Sequence, residues 1–141
     1  MQYSKLNDGS LREILNDTKA IAVVGHSDRP ERISYQIARF LREVGYRVIP
    51  VNPTVREIDG QPCYVSLKDV PESVDLVNVF RRSEFLAEVV DEAIDINAKT
   101  IWAQSGIYDE SAARKALEAG LNVVMDACIK VEYVRLIRSQ I

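Results

Sequence analysis

Short apolar runs alternate along the chain with longer segments in which apolar residues recur every three or four positions. The runs are typical of strands buried on both faces of a parallel sheet, and the periodic segments are typical of amphipathic helices. The runs predict five strands, at 20–24, 46–51, 74–80, 99–103 and 121–125. Helices are predicted near 11–15 and at 33–44, 83–97, 109–119 and 129–137, with Asp8 or Ser10 as the first cap. The segment 54–73 is expected to be an irregular crossover with one helical turn near 67–69.

This alternation of strands and helices predicts an α/β fold. Strands that follow one another through helices pair in parallel, and the helices then cover both faces of the sheet. We therefore expect a Rossmann-like three-layer fold with a five-stranded, mainly parallel sheet, formed by residues 1–141 as a single domain. Ligands of such sheets bind outside the carboxyl ends of the strands, so the loops that follow the strands are the candidate site.

The loop after the first strand combines a glycine with hydrogen-bond donors and cations. Gly25 follows the strand directly and lets the backbone pass close to a ligand. Ser27, Arg29 and Arg32 add a hydroxyl and charge where the chain enters a helix, whose free N–H groups favour phosphate. The loop lacks the later glycines of G-x-G-x-x-G and the Gly-Lys-Ser/Thr of a P-loop, so neither standard nucleotide grip is predicted. An ordinary strand-to-helix turn is the alternative interpretation.

The loops after the second and third strands carry groups suited to a phosphorylated nucleoside. Asn52 and Pro53 stand where NAD-binding sheets place an acidic residue on the ribose hydroxyls. A carboxylate there would repel a 3′-phosphorylated ribose, whereas an amide can donate, so the sequence favours phosphorylated adenosine over NAD. Phe80, Arg81 and Arg82 end the third strand, and an aromatic ring beside two guanidinium groups suits adenine and phosphate. A plain turn and a solvated surface are the alternatives.

Few residues of the chain are suited to catalysis or to metal binding. There is one histidine, His26, and there are two cysteines far apart in sequence, Cys63 and Cys128. A zinc site needs about four close ligands, so no metal site is predicted. Ser27 adjoins His26, but no catalytic triad is predicted. Cys128 precedes a helix whose N-terminus would lower the pKa of the thiol, with a buried structural thiol as the alternative, and Asp126 is a candidate cap for that helix.

Composition narrows the class of partner. Hydrophobic residues make up 47% of the chain, charged residues 28%, and the net charge is -3. This balance is typical of a globular protein, and the mild acidity disfavours nucleic acid and anionic membranes as partners. The polar first 17 residues do not indicate a signal peptide, and no apolar run approaches the ~20 residues that cross a bilayer. A cytoplasmic protein is therefore predicted.

Four segments of the chain resemble the small stand-alone CoA-binding proteins, which are similar to the CoA-binding domain of the succinyl-CoA synthetase alpha subunit. The segments are 21–27, 45–53, 79–83 and 123–132, and the resemblance covers roughly residues 10–137. Its most specific part is the Val-Asn-Pro turn at 51–53 together with Phe-Arg-Arg at 80–82.

The resemblance implies that coenzyme A is held along the carboxyl edge of a Rossmann-like sheet. Together with the lack of a predicted catalytic triad, it leads us to expect binding of coenzyme A or an acyl-CoA without catalysis. Every residue that the resemblance assigns to CoA lies at the carboxyl end of a predicted strand or in the loop that follows it. It places Gly25, His26 and Ser27 at the pyrophosphate, Val51, Asn52 and Pro53 at the adenosine, Phe80, Arg81 and Arg82 along the groove, and Gln104 and Gly106 beside the pantetheine arm.

The chain departs from the family pattern at Ala103, Ala127 and Tyr133, which the sequence places at or near the carboxyl edge. Three hypotheses follow. The first is a CoA-binding module, the second a nucleotide-dependent oxidoreductase or acyl-CoA ligase fragment, and the third a protein-interaction scaffold with weakened or lost CoA binding. The missing glycines and the missing acidic ribose ligand count against the second. No dimer interface is indicated, so a monomer and a homodimer both stay open.

Overall fold

The computed structural model of the chain describes residues 3–138, within which strands and helices alternate as predicted. The strands are β1 (Ala20–Val24), β2 (Arg47–Val51), β3 (Glu57–Ile58), β4 (Gln61–Pro62), β5 (Leu76–Val79), β6 (Thr100–Ala103) and β7 (Asn122–Val124). The helices are α1 (Asp8–Asp17), α2 (Ile33–Glu43), α3 (Leu86–Asp95), α4 (Glu110–Glu118) and α5 (Ile129–Leu136), with 3-10 helices at Leu67–Asp69 and Ser83–Phe85. No helix within residues 3–138 combines the length and the apolar character needed to cross a membrane.

Five of the strands form one sheet in the order β2-β1-β5-β6-β7, and every neighbouring pair is parallel. The predicted Rossmann-like α/β fold is therefore confirmed, and the sheet is fully parallel. The chain steps outward from β1 to β2 and then crosses back to place β5 on the other side of β1. The carboxyl ends of β1 and β5 are thus the point where the strand order reverses, which is where such sheets open for a ligand.

Both faces of the sheet are buried under helices. Ala22 and Val24 pack on the side of α3 and α4, whereas Ile21 and Val23 pack on the side of α1, α2 and α5. Successive side chains of a strand point to opposite faces, so a strand covered on both sides needs an unbroken apolar run. This is why β1 has the bounds that its apolar run predicts.

The connection between β2 and β5 contains a hairpin where the sequence analysis expected irregular structure. β3 and β4 pair antiparallel, with Glu57 opposite Pro62. Asp59 and Gly60 form the turn, and both have positive φ, 50° and 81°. A two-residue turn of type I′ requires that geometry and favours Asp-Gly. The dipeptide Asp59-Gly60 in the sequence therefore already indicated a hairpin, and the expectation of irregular structure was wrong here.

Two predicted helix caps were wrong. α1 is capped by Asn7, whose side-chain oxygen accepts from the Ser10 N–H at 2.8 Å, and not by Asp8 or Ser10. Asp126 does not cap α5. Its Oδ1 instead accepts from the Gly106 N–H at 2.6 Å, which ties the loop after β7 to the loop after β6.

Candidate functional site at the carboxyl edge

A cleft of about 360 Å³ opens at the switch point, between the loop after β1 and the ends of β2 and β5. Its walls come from three of the loops that the sequence singled out. The residues that line it include Gly25, Ser27, Arg32, Asn52, Thr54 and Phe80. The cleft thus brings together predicted site residues that are far apart along the chain.

Gly25 allows the loop after β1 to lie against the end of β5. Its φ is +88°, its N–H donates to the Val51 carbonyl at 2.8 Å, and a Cβ at this position would stand 3.1 Å from the Phe80 carbonyl oxygen. An L side chain is disfavoured by that φ and would press on the backbone of β5 as well. Glycine here therefore sets how closely Phe80 approaches the loop, and so shapes the cleft.

α2 begins beside the cleft with no side-chain cap. α1 and α4 are capped by Asn7 and Asp109, whereas α3 and α5 have no side-chain cap either. The exposed Arg32 occupies the N-cap position of α2, and the Ser27 N–H donates to Ser34 Oγ at 3.0 Å, which tethers the loop to the helix. Free N–H groups and the helix dipole together favour an anion at such a terminus. The arrangement therefore suits a phosphate group.

The cations of the first loop are available to a ligand. Arg29 and Arg32 are exposed, line the cleft, and form no ion pair with any residue among 3–138. Asp28, on the same loop, offsets part of this charge. Two unpaired guanidinium groups beside an uncapped helix are the donor set that phosphates prefer.

Asn52 joins two of the loops. Its Nδ2 donates to the His26 carbonyl at 2.9 Å, and its Oδ1 accepts from the backbone N–H and the hydroxyl of Thr54 at 3.0 and 2.9 Å. The side chain thus fixes the distance between the loop after β1 and the loop after β2. One N–H of the amide remains for the predicted contact with a phosphorylated ribose.

His26 lies behind the cleft rather than on its wall. The residue is 0% exposed, and its Nδ1 is 2.8 Å from the Ser27 carbonyl oxygen. Its Nε2 is 3.5 Å from both terminal nitrogens of Arg42, so Nε2 accepts and Nδ1–H donates. Burial, and after it the charge of Arg42, holds the pKa of His26 below its usual value, against the bond to Ser27, which favours the proton. In this structure the ring does not reach the place assigned to the pyrophosphate.

The remaining residues predicted at the adenosine end and along the groove divide between two places. Val51, Pro53 and Arg81 line a separate small cavity of about 50 Å³ on the side of the sheet that α3 covers. Arg82 is exposed and pairs with Glu84, which is also exposed, at 3.1 Å. The three consecutive residues at the end of β5 therefore face the cleft, the small cavity and the solvent respectively.

The two residues predicted beside the pantetheine arm belong to an internal network at the ends of β6 and β7. Gln104 is 5% exposed, and its Oε1 accepts from Asn78 Nδ2 and from the Ile129 N–H, both at 3.0 Å. The Gly106 N–H donates to Asp126 Oδ1, as described above. Sequence reasoning missed Asn78, although a polar residue in the middle of an apolar run is a signal of a buried polar contact.

The departures from the family pattern do not all lie at the carboxyl edge. Ala103 is buried at the end of β6, and its carbonyl accepts from the Ala127 N–H at 3.3 Å. Tyr133 instead packs edge-to-face on Phe40 and Tyr46, at 5.7 and 5.9 Å between ring centroids. It faces a cavity lined by residues that precede β1 and β2, so its predicted place near the carboxyl edge was wrong.

The cysteines are free and lie in different surroundings. Cys63 is buried, and burial raises the pKa of its thiol. Cys128 is half-buried at the N-cap of α5. Within residues 3–138, no three His, Cys, Asp or Glu side chains come together as a metal site would require.

Known proteins resemble the chain over most of its length. The family profile described as a CoA binding domain matches residues 19–134. A Bacillus subtilis protein named "Uncharacterized protein YneT" is 46% identical over 123 residues, which are 87% of this chain and 91% of that protein. The solved structure of a "hypothetical protein from Pyrococcus horikoshii OT3" is 39% identical with a TM-score of 0.90, over 96% of this chain and 99% of that one.

A part of a larger enzyme is also similar. An ADP-forming acetate–CoA ligase of Archaeoglobus fulgidus is 36% identical over 121 residues. The match takes in 79% of this chain but only 18% of that enzyme.

Proposed function

Because the chain belongs to the CoA-binding domain family, we propose that it binds coenzyme A or an acyl-CoA at the carboxyl edge of its sheet and catalyses no reaction on it. The observation that carries the proposal is the cleft at the switch point. There the uncapped start of α2, the left-handed turn at Gly25 and two unpaired arginines converge.

The residues of the cleft fit an anionic nucleotide. The pyrophosphate of CoA would take the first-turn N–H groups of α2 and the guanidinium groups of Arg29 and Arg32. The adenosine end would lie toward Asn52, where an amide stands instead of a carboxylate and a 3′-phosphate meets no like charge. When bound, CoA supplies a thiol that carries acyl groups as thioesters.

The absence of catalysis is proposed from how the candidate groups are used. The His26 ring is buried with both nitrogens engaged. Ser27 Oγ accepts from the Arg29 N–H at 3.0 Å and faces no base among the described residues. The raised pKa of Cys63 keeps its thiol protonated at neutral pH. The chain spans 18% of the Archaeoglobus ligase, and ligase activity is not part of the proposal.

Calorimetric titration with CoA, dephospho-CoA and NAD tests the proposal. We expect CoA to bind more tightly than dephospho-CoA, because the proposed site contacts the 3′-phosphate. We expect NAD to bind most weakly. Incubation with acetyl-CoA, followed by a thiol assay, is expected to release no CoA above the level of a protein-free control.

Equal affinity for NAD and CoA would overturn the assignment of ligand, and thioester cleavage would overturn the non-catalytic role. No heat with any of the three compounds, on protein shown to be folded, would overturn CoA binding and make a protein partner the leading hypothesis. The cytoplasmic location and the choice between monomer and homodimer stay predictions.

A further inference from the structure

The first two residues after Gly25 are held by two other parts of the molecule and by the His26 side chain itself. The His26 carbonyl accepts from Asn52, in the loop after β2. The Ser27 N–H donates to Ser34, in the first turn of α2. The His26 ring closes the arrangement, because its Nδ1–H donates back to the Ser27 carbonyl. This side chain therefore fixes the backbone of the loop that forms one wall of the cleft.

The other nitrogen of the His26 ring meets a cation. Both terminal nitrogens of Arg42 lie 3.5 Å from Nε2, and one of them also lies 3.5 Å from Gln61 Oε1 in β4. The Nε of Arg42 is buried and has no partner among residues 3–138. A guanidinium group only donates, so the contact requires that Nε2 of His26 carry no proton.

The other groups around the ring do not make its protonation favourable. The Tyr35 ring, from α2, stands edge-on to His26 at 6.0 Å, and its hydroxyl is bonded to Asp59 of the β3–β4 turn. The charge of Asp59 favours protonation of His26, whereas burial and Arg42 oppose it. Burial is the largest of these influences, so the net effect is a lowered pKa and a neutral ring at neutral pH.

From this geometry we infer that His26 is a positioning residue for CoA, which holds the loop after β1 in its binding shape as a neutral imidazole and releases it when protonated. The inference rests on the proposed function.

Protonation acts on CoA binding through the loop, because the ring does not line the cleft. An imidazolium would face the guanidinium of Arg42 in a buried site, where like charges repel strongly. The contact must then open. Segment 28–32 has no regular secondary structure, so the loop is the part that gives way. Binding of CoA, which needs the ordered loop, must in turn oppose protonation, because coupling between two binding events is reciprocal.

The first experiment uses the unaltered protein. Its single histidine gives one imidazole signal by NMR, so the pKa of His26 can be read without assignment, free and with saturating CoA. We expect CoA to lower that pKa. We also expect the calorimetric affinity to fall as the pH is lowered through the pKa measured for His26 in the free protein, by at most about tenfold for each unit by which CoA lowers that pKa.

Two arginine variants separate this effect from titration of the ligand, whose own 3′-phosphate gains a proton near pH ~6. Arg42→Gln removes the like charge beside His26, so the part of the pH dependence due to His26 should shrink. Arg39→Gln removes the same charge from an exposed position on α2, where the one ion pair of Arg39 within residues 3–138 is with Glu43, and should keep the full dependence. Dephospho-CoA, which has no phosphate monoester, should show the His26 effect alone.

The outcomes distinguish the two proposals. No binding of CoA at about pH 8 overturns the proposed function and this inference with it. Binding that is unchanged or tighter at acidic pH, or a pKa of His26 that CoA raises, overturns this inference alone, because a ligand anion would then be attracting the proton directly. The pKa of His26 and the pH dependence of CoA affinity are both measured on the unaltered protein, so they test the inference even if a variant fails to fold.

Discussion

Among the helices that begin at the carboxyl edge of the sheet, α5 and α2 differ in how their first N–H groups are used. α5 starts beside β7, where the Ile129 N–H is satisfied by the buried oxygen of Gln104. α2 starts beside β1, where no side chain caps the helix and Arg32 stands exposed at the N-cap position. Both are strand-to-helix junctions of the same parallel sheet, so the fold alone does not explain the difference.

This difference distinguishes the part of the edge that stabilises the fold from the part that is suited to bind a ligand. Buried polar groups in a folded protein are usually hydrogen-bonded, and at the β6–β7 end Gln104 Oε1 accepts from Asn78 Nδ2 and from the Ile129 N–H, while Asn78 Oδ1 has no partner among residues 3–138. The β1 end leaves its helical N–H groups to whatever enters the cleft. A first turn whose leading N–H is used internally offers less to a ligand, whereas one with free N–H groups beside cations that form no ion pair within residues 3–138 is suited to an anion. This argues for CoA phosphates at α2 and a structural role for Gln104.

The largest expected effect is a loss of stability at the β6–β7 end of the carboxyl edge, here called the closed end. Gln104→Leu removes the acceptor of two buried donors, Asn78 Nδ2 and the Ile129 N–H, and should lower the free energy of unfolding by about 2–4 kcal/mol. Urea denaturation measures it. Asn7→Ala, which removes the exposed cap of α1, is the matched control and should cost about 1 kcal/mol. Equal costs for the two variants would contradict the view that burial of the network sets its importance.

A smaller loss of stability is expected at the β1 end of the carboxyl edge, here called the open end, together with weaker binding of CoA. Gly25→Ala adds a Cβ at a φ of +88° and 3.1 Å from the Phe80 carbonyl, and Gly120→Ala adds one at +90° with no atom within 4 Å. The strain of the backbone, about 1–2 kcal/mol, is common to both. We expect Gly25→Ala to cost about 1 kcal/mol more in unfolding free energy, because of the contact with β5. It should also weaken CoA binding, whereas Gly120→Ala should bind like the unaltered protein. A Gly25→Ala protein with normal CoA affinity would show that the cleft tolerates movement of this loop.

The strands and helices could be predicted because their signals are local. An apolar run or a helical stripe is complete within one segment, and burial of β1 on both faces is visible in Ala20–Val24 itself. The network at the closed end has no such signal. Asn78 and Gln104 are 26 residues apart in sequence, and Gln104 and Ile129 are 25 apart, so their contacts appear only once the sheet is assembled.

The candidate site could be predicted as a set of loops, but not as a set of side chains. The loops after β1, β2 and β5 meet because the carboxyl ends of parallel strands share an edge. Side chains keep alternating at the strand ends, which sends Asn52 to the cleft and Val51 to the other face, and does the same with Phe80 and Arg81. Alternation was readable from the sequence, whereas the resemblance to a family assigned whole tripeptides to the ligand without regard to it.

The smallest expected effect on stability concerns the open end, and it separates the cleft from the rest of the edge. Arg32→Gln changes an exposed side chain that forms no ion pair within the described residues, so the unfolding free energy should move by less than about 0.5 kcal/mol. CoA affinity should nevertheless fall about threefold to tenfold, by the loss of a charge-assisted contact to phosphate, and the fall should lessen as salt is added. Arg82→Gln is the matched control, since Arg82 is also exposed but pairs with Glu84 outside the cleft. Equal losses of affinity in the two variants would mean that CoA responds to the overall charge of this edge and that the start of α2 is not its phosphate site.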